Sequence, residues 1–134
     1  MSTIFTQIIK KKLPAFIVAE DDHHIAFLDM APIHKGHTLV VPKEEVGYFF
    51  DLHEDRIASL MAFAKKVAQA LEQVVPCKRI AMAVLGLEVA HVHIHLIPLS
   101  KAREFQFTDR KIQLSKSEMQ RIAQQIADLF NKRS

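Results

Sequence analysis

The sequence predicts an α+β fold: a five-stranded antiparallel sheet with a long central helix, a short N-terminal helix and a C-terminal helix. Short apolar runs between polar turns indicate strands, whereas other segments repeat apolar residues every three or four positions, as helices do. The elements follow the order helix, three strands, long helix, two strands, helix. The 134 residues, 49% of them apolar, are enough for one domain with its own core, spanning residues 1–134.

The first half of the chain predicts a short helix and a three-stranded meander. In STIFTQIIKKKLP, apolar residues at positions 4, 5, 8 and 9 give an amphipathic helix that ends before Pro14. AFIVAE and IAFLDM flank the polar stretch DDHH and predict a hairpin. HTLVVPK, which follows Gly36, predicts a third, buried strand.

A long helix and two further strands follow. Asp51 and Glu54 have the spacing of a capping box, and the helical periodicity after them predicts a helix that ends near Pro76. KRIAMAVL and VAHVHIHLIPL then predict two strands on either side of Gly86.

The last part of the chain, residues 99–134, predicts a loop or strand end and then a helix. Ser115 and Glu118 have the spacing of a second capping box, with Leu114 and Met119 placed as its hydrophobic staple. Apolar residues continue with helical period to position 130.

Composition excludes several classes of protein. The net charge of +3 is mild, and the one basic run, Lys10 to Lys12, predicts a solvated helix end instead of a nucleic-acid surface. Cys77 is the single cysteine, so the chain can form neither an intrachain disulfide nor a cysteine-based zinc site. No stretch approaches the ~18 apolar residues of a membrane span. These features predict a cytoplasmic protein that binds neither membranes nor nucleic acid and needs no cofactor.

The segment HVHIHLI places three histidines two residues apart. On a strand, His91, His93 and His95 would share one face while the aliphatic residues between them pack the other. A sheet covered by helices on one side and open on the other matches this pattern. An accidental surface row is the first interpretation, but three histidines in strict alternation make it a poor one.

A metal site is the second interpretation of the histidine row. Over four residues a strand rises about 13 Å, so three histidines on a straight strand cannot share one zinc ion. Two neighbours could share one if His34 or His37 added ligands. The sequence therefore predicts no metal site.

Nucleophilic attack at phosphorus is the third interpretation. A neutral imidazole is a good nucleophile near pH 7 and a good leaving group from a phosphorus adduct. Neighbouring imidazoles can donate hydrogen bonds to phosphate oxygens or to the departing group. The middle histidine, His93, is the member flanked on both sides.

HVHIHLI resembles the signature of the histidine triad (HIT) family, His-φ-His-φ-His-φ-φ, where φ is apolar. TIFTQIIKKKLPAFIVAEDDHHIAFLDMAP is similar to the family's N-terminal segment, and GHTLVVPKEE to its next strand. The resemblance runs from about Thr3 to Pro98. It implies a small α+β fold that forms a homodimer, and binding of a purine nucleotide or nucleotide conjugate.

The resemblance also implies roles for individual residues. His93 would attack the α-phosphate and form a covalent nucleotidyl adduct, while His91, His95 and His37 complete the catalytic set. Asp29 would bind the ribose hydroxyls. Apolar residues would line the nucleoside pocket; they are Ile4, Phe5, Ile8, Leu13, Phe27, Met30 and Leu39.

The chain departs from the family pattern just before the triad. Where the family often carries Asn-x-Gly and then Gly-Gln-x-Val, this sequence reads AMAVLGLEVAHVH, with a shorter loop. Gly86 and Val89 match, but Leu87 replaces an amide and Glu88 a hydroxyl residue. We count Gly86, Glu88 and Val89 among the nucleotide-binding candidates, since backbone N–H groups there can hold phosphate.

The substrate stays open at this point. Nucleoside phosphoramidates and dinucleoside polyphosphates are both compatible with the motifs, and a nucleotide-binding module with little turnover is a further alternative. The remaining histidines are expected at the surface; they are His23, His24, His34 and His53.

Overall fold

A computed structural model describes residues 3–107 and 111–133. The helices are α1 (Ile4–Ile9), α2 (Glu54–Val74) and α3 (Lys116–Arg133). The strands are β1 (Ile17–Glu20), β2 (His24–Leu28), β3 (Thr38–Pro42), β4 (Arg79–Ala83) and β5 (Ile94–Leu99). The predicted element order is confirmed, with two added 3-10 turns at Phe49–Asp51 and Ala102–Glu104.

The five strands form one antiparallel sheet in the order β1-β2-β3-β5-β4. Side chains alternate between its faces, so Ala26 and Leu28 pack toward α2 and α3 while Ile25 and Phe27 pack toward α1. The larger core therefore lies between the sheet and the two long helices. In the described part of the chain, no helix combines the length and apolar character needed to cross a membrane.

The turn before β3 depends on Gly36. Its φ of +87° lies in the left-handed region, and an added Cβ would come within 2.8 Å of Cγ2 of Val75 and 3.1 Å of Cδ1 of Leu71. A larger residue here would be strained in its backbone and would collide with the end of α2. Gly36, one residue before His37 and just before the start of β3, is thus tightly packed against the main core.

One detail of the predicted elements is wrong, and a second is confirmed in part. Asp51 does not cap α2; the chain forms a 3-10 turn there, and His53 caps the helix by accepting the N–H of Asp55 at Nδ1. At α3, Ser115 Oγ accepts the N–H of Glu118 as predicted, and the Glu118 carboxylate lies 3.4 Å from the ammonium group of Lys35. The start of α2 therefore has a different cap from the predicted one, whereas α3 begins at the predicted serine.

His24 is buried, which contradicts its predicted place at the surface. Its ring stacks on Phe63 of α2 at a centroid distance of 4.9 Å. Nδ1 lies 2.9 Å from Oδ1 of Asp21, and Nε2 lies 3.0 Å from Oγ of Ser59. Both ring nitrogens have partners, so the imidazole can be buried at the joint between the β1–β2 hairpin and α2.

Candidate active site

The three histidines of the HVHIHLI segment lie on one side of the sheet, but only His95 belongs to a strand. The sequence predicts a strand from residue 89, whereas β5 begins at Ile94. The reason is a long-range contact: the N–H of Val92 donates to the carbonyl of Val46, 2.8 Å away in the loop after β3, and not to a sheet neighbour. The extended chain before β5 still alternates, so the side chains of His91 and His93 continue the row.

The row is buried, and not on an open face as the pattern predicts. His91, His93 and His95 are 1%, 6% and 8% exposed. Helix α1 covers this end of the sheet, and the ring of Phe5 meets His93 edge to face at a centroid distance of 4.9 Å. Partial cover by an apolar helix removes water from the imidazoles and strengthens the polar interactions that remain.

The hydrogen bonding of His93 fixes which ring nitrogen is free. Nδ1 lies 2.8 Å from the carbonyl oxygen of His91, and a carbonyl can only accept, so Nδ1 carries the proton. Burial lowers the pKa of His93 below its usual value, although this hydrogen bond acts in the opposite direction. The neutral ring therefore keeps an unprotonated Nε2, which is the form that a nucleophile requires.

A second chain of hydrogen bonds links His37 to His95. The N–H of Ile33 donates to Nδ1 of His37 at 3.2 Å, so the neutral ring of His37 carries its proton on Nε2. That Nε2–H donates to Nδ1 of His95 at 2.9 Å. His95 in turn must carry its proton on Nε2, where it is a hydrogen-bond donor.

Burial keeps this pair neutral. Desolvation, together with the neighbouring histidines, lowers the pKa of His37 to about 3 and that of His95 to about 4. At neutral pH His95 is therefore a donor of a hydrogen bond and not a cationic acid. His91 is held separately, since its Nε2 donates to the carbonyl of Pro42 at 2.8 Å.

Asp29 lies beside the histidine pair at the end of β2. One carboxylate oxygen accepts the N–H of Ala31 at 2.9 Å, as a turn-forming aspartate does, and the other lies 3.5 Å from Nε2 of His37. Burial raises its pKa, against the effect of the Ala31 hydrogen bond. The Ala31 contact supports the interpretation of Asp29 as a turn-forming residue, and its role in binding ribose stays a prediction.

The apolar candidates for the nucleoside pocket form two groups, one buried and one exposed. Four of them are buried in one cluster with Ile25 and Val41; they are Phe5, Ile8, Phe27 and Leu39. The other three, Ile4, Leu13 and Met30, are 53%, 41% and 65% exposed. Exposed apolar side chains beside a buried apolar cluster suit a surface that a flat ring would cover.

The loop before the triad places its two unusual residues at the surface. Gly86 has a φ of +67° with open space around it, so the backbone conformation and not crowding favours glycine there. Leu87 is 88% exposed, and Glu88 is exposed as well. The charge of Glu88 acts on both Asp29 and His93. Val89 packs against the Phe5 cluster.

The structure also brings together a group that the strand-spacing argument did not consider. Ligand atoms of Asp29, His37 and His95 lie within 4.8 Å of one another, as metal ligands can. The tautomers oppose that use, because a metal on Nε2 of His37 would move its proton to Nδ1, opposite the N–H of Ile33.

None of the predicted site residues lines the cavity of about 620 Å³ between β4 and the 3-10 turn after β5.

Sequence reasoning missed the chain that follows β5. The ring of Phe107 lies 4.9 Å from that of His95 and 6.4 Å from that of His37, measured between centroids. The charge of Lys111 acts on Asp29 and on both of these histidines. No local pattern marks either residue, since both reach the site through tertiary contacts.

Comparisons with known proteins agree with this arrangement. The family model of the HIT domain matches residues 10–102 of this chain. An uncharacterised HIT-like protein of Methanocaldococcus jannaschii is 39% identical over 99 residues, covering 71% of this chain and 77% of that protein. The adenosine 5′-monophosphoramidase hnt1 of Schizosaccharomyces pombe is 38% identical over 103 residues, covering 73% and 74%.

A solved structure extends the likeness over nearly the whole chain. The HIT-like protein of Bartonella henselae, described as involved in cell-cycle regulation, has a TM-score of 0.82 at 26% identity and covers 96% of each chain. The fold, the family model and the triad with its ordered hydrogen bonds lead to one conclusion: this chain is a member of the HIT family.

Proposed function

We propose that this protein is a nucleotidyl hydrolase or transferase that attacks the α-phosphate of purine nucleotide conjugates through His93. The observation that carries the proposal is the hydrogen bond from Nδ1–H of His93 to the carbonyl of His91, which leaves Nε2 unprotonated, on a ring that lies beside that of His95. The resemblance to HIT proteins and the names of the yeast relatives support the same chemistry.

The reaction would run in two displacements. The Nε2 lone pair of His93 forms a bond to the α-phosphorus, and the leaving group departs with the electron pair of its own bond to phosphorus; an amine leaving group takes up one proton from solvent. Nε2–H of His95 donates a hydrogen bond to the phosphate or the departing atom. Water then attacks phosphorus and loses a proton to solvent, the bond between phosphorus and Nε2 breaks with its electron pair returning to Nε2, and the nucleotide is released. His37 and the N–H of Ile33 hold His95 in the donor tautomer.

Nucleoside phosphoramidates are the substrate class that we favour over dinucleoside polyphosphates. Glu88 and Asp29 place two carboxylates whose charge acts on His93. An anionic polyphosphate leaving group would be repelled by them, whereas an amine would not. The relatives named adenosine 5′-monophosphoramidases point in the same direction.

Mass spectrometry of the protein after brief mixing with a fluorogenic adenylate phosphoramidate tests the proposal. The wild type should gain the mass of one nucleotidyl group, and His93→Ala should gain none. His23→Ala is the matched control, because His23 is an exposed histidine on the β1–β2 turn. An adduct of normal yield in His93→Ala would assign the nucleophile elsewhere, and nucleotide affinity without an adduct in the wild type would favour a binding module.

A metal-binding function is the second candidate, because Asp29, His37 and His95 are close enough to share an ion. We expect activity to survive prolonged chelation, since the tautomer of His37 opposes metal binding. Loss of activity on chelation that added zinc restores would favour the metal instead.

We also propose a homodimer formed along β4. This strand ends the sheet and pairs only with β5, whereas α3 packs against β1 at the other edge. Analytical ultracentrifugation should then show about twice the 15.3 kDa monomer mass. A cytoplasmic location stays a prediction that rests on the single, free cysteine.

A further inference from the structure

The chain beyond β5 returns to the histidine row. Phe105 packs against the buried cluster of Ile33, Ile97 and Leu99, and the ring of Phe107 lies edge-on to His95. Thus Phe105 and Phe107, which follow the 3-10 turn, lie on the same side of the sheet as the triad.

A second attachment lies at Ile112. Its N–H donates to the carbonyl of Pro32 at 2.9 Å. Pro32 precedes Ile33, the residue whose N–H donates to His37, and follows the turn that Asp29 forms. Lys111 is therefore held one residue from the loop that carries the His37–His95 chain of hydrogen bonds.

The His37–His95 pair supplies no compensating cation to the site. The histidine pair is neutral at pH 7, and the two carboxylates that act on His93 are Asp29 and Glu88. An α-phosphate would bring a further negative charge into a partly dehydrated place, which is unfavourable without a positive partner. The charge of Lys111 reaches Asp29, His37 and His95, so its ammonium group lies within electrostatic range of that phosphate.

We propose that Lys111 is a phosphate-binding residue of the nucleotide site, contributed by the chain beyond the HIT domain. The family model ends at residue 102, so nothing in the family match assigns a role to this lysine. The inference rests on the proposed function, because it places the α-phosphate of a bound nucleotide near His93 and His95. A flexible lysine on an exposed stretch can follow the phosphate as a point charge without fixed geometry.

Isothermal titration calorimetry with adenosine 5′-monophosphate and with adenosine separates phosphate binding from nucleoside binding. Lys111→Ala should weaken the monophosphate by about tenfold, the low end for a hydrogen bond to a charged group at an exposed position. Its affinity for adenosine should not change, and Lys111→Arg should retain most of the monophosphate affinity. Lys116→Ala is the matched control, since it removes an exposed lysine from the start of α3.

The outcomes distinguish this proposal from the one on which it rests. Equal weakening of both ligands, or no weakening of either, overturns the role of Lys111. If the wild type forms the His93 adduct while Lys111→Ala binds the monophosphate normally, only the lysine assignment is wrong. If the wild type binds neither ligand and forms no adduct, both proposals are wrong.

Discussion

Acid should destabilise this protein through its buried histidine pair. The pKa of His37 falls from an ordinary value near 6.5 to about 3 in the folded state, and the unfolded chain regains the ordinary value. Below about pH 6.5 the unfolded chain therefore binds a proton that the folded chain refuses. The contribution of His37 to stability is complete above that pH and is lost as the pH falls toward 3.

The size of the effect follows from the proton count. Each refused proton costs about 1.4 kcal/mol of unfolding free energy per pH unit. Between pH 6.5 and 4.5, His37 alone should account for roughly 2.3 kcal/mol, because the unfolded side chain is only half protonated at the upper pH. His95, with a pKa of about 4, adds to the loss over the same range.

Urea unfolding at several pH values, followed by circular dichroism, measures this slope. In His37→Gln the side chain cannot titrate, so the unfolding free energy should fall by about 1.4 kcal/mol less per pH unit than in the wild type. His23→Gln, which removes an exposed histidine, is the matched control. A His37→Gln slope equal to that of the wild type would show that His37 is protonated in the folded state, and the tautomer argument for His95 would then be wrong.

Three further predictions concern single side chains. If Asp29 binds the ribose hydroxyls, the wild type should prefer ribonucleotides to 2′-deoxynucleotides by about tenfold in kcat/KM, and Asp29→Asn should reduce that preference. An unchanged ratio of the two kcat/KM values would make Asp29 a turn-forming residue only. Glu88→Ser should raise kcat/KM for dinucleoside polyphosphates about threefold more than for a phosphoramidate with a neutral leaving group, and the effect is small because Glu88 is exposed. Equal changes for the two substrates in steady-state assays would count against the electrostatic role of Glu88. Ser59→Ala should lower the unfolding free energy by about 1 kcal/mol through the loss of the His24 hydrogen bond, whereas Ser117→Ala on the exposed start of α3 should not. Equal denaturant midpoints for the two variants would show that the hydrogen bond between Ser59 and His24 does not stabilise the fold.

Local patterns were enough to predict the order of the elements and the grouping of the histidines. Alternation places His93 and His95 on one side of the chain whether or not the segment is paired in a sheet, so the row forms although β5 begins only at Ile94. The predicted start of β5 was wrong because the N–H of Val92 donates to the carbonyl of Val46, a residue far away in sequence.

The parts that could not be predicted all depend on long-range contacts. The burial of His24 needs Ser59 in α2 in addition to Asp21, its near neighbour in the hairpin. The tautomer of His95 depends on His37 and, through it, on a backbone N–H of Ile33. No spacing rule in a single sequence reveals which backbone group meets which ring nitrogen.

The packing around Gly36 couples the stability of the protein to the alignment of its histidines. Val75 and Leu71 leave no room for a Cβ on Gly36, the residue that precedes His37, so a larger side chain at position 71 or 75 would push Nε2 of His37 away from His95. Engineering for heat resistance through the end of α2 would therefore disturb the hydrogen bond between His37 and His95. Under the proposed function, a selection for altered leaving groups can recover substitutions at these two positions, more than 30 residues along the chain from His37.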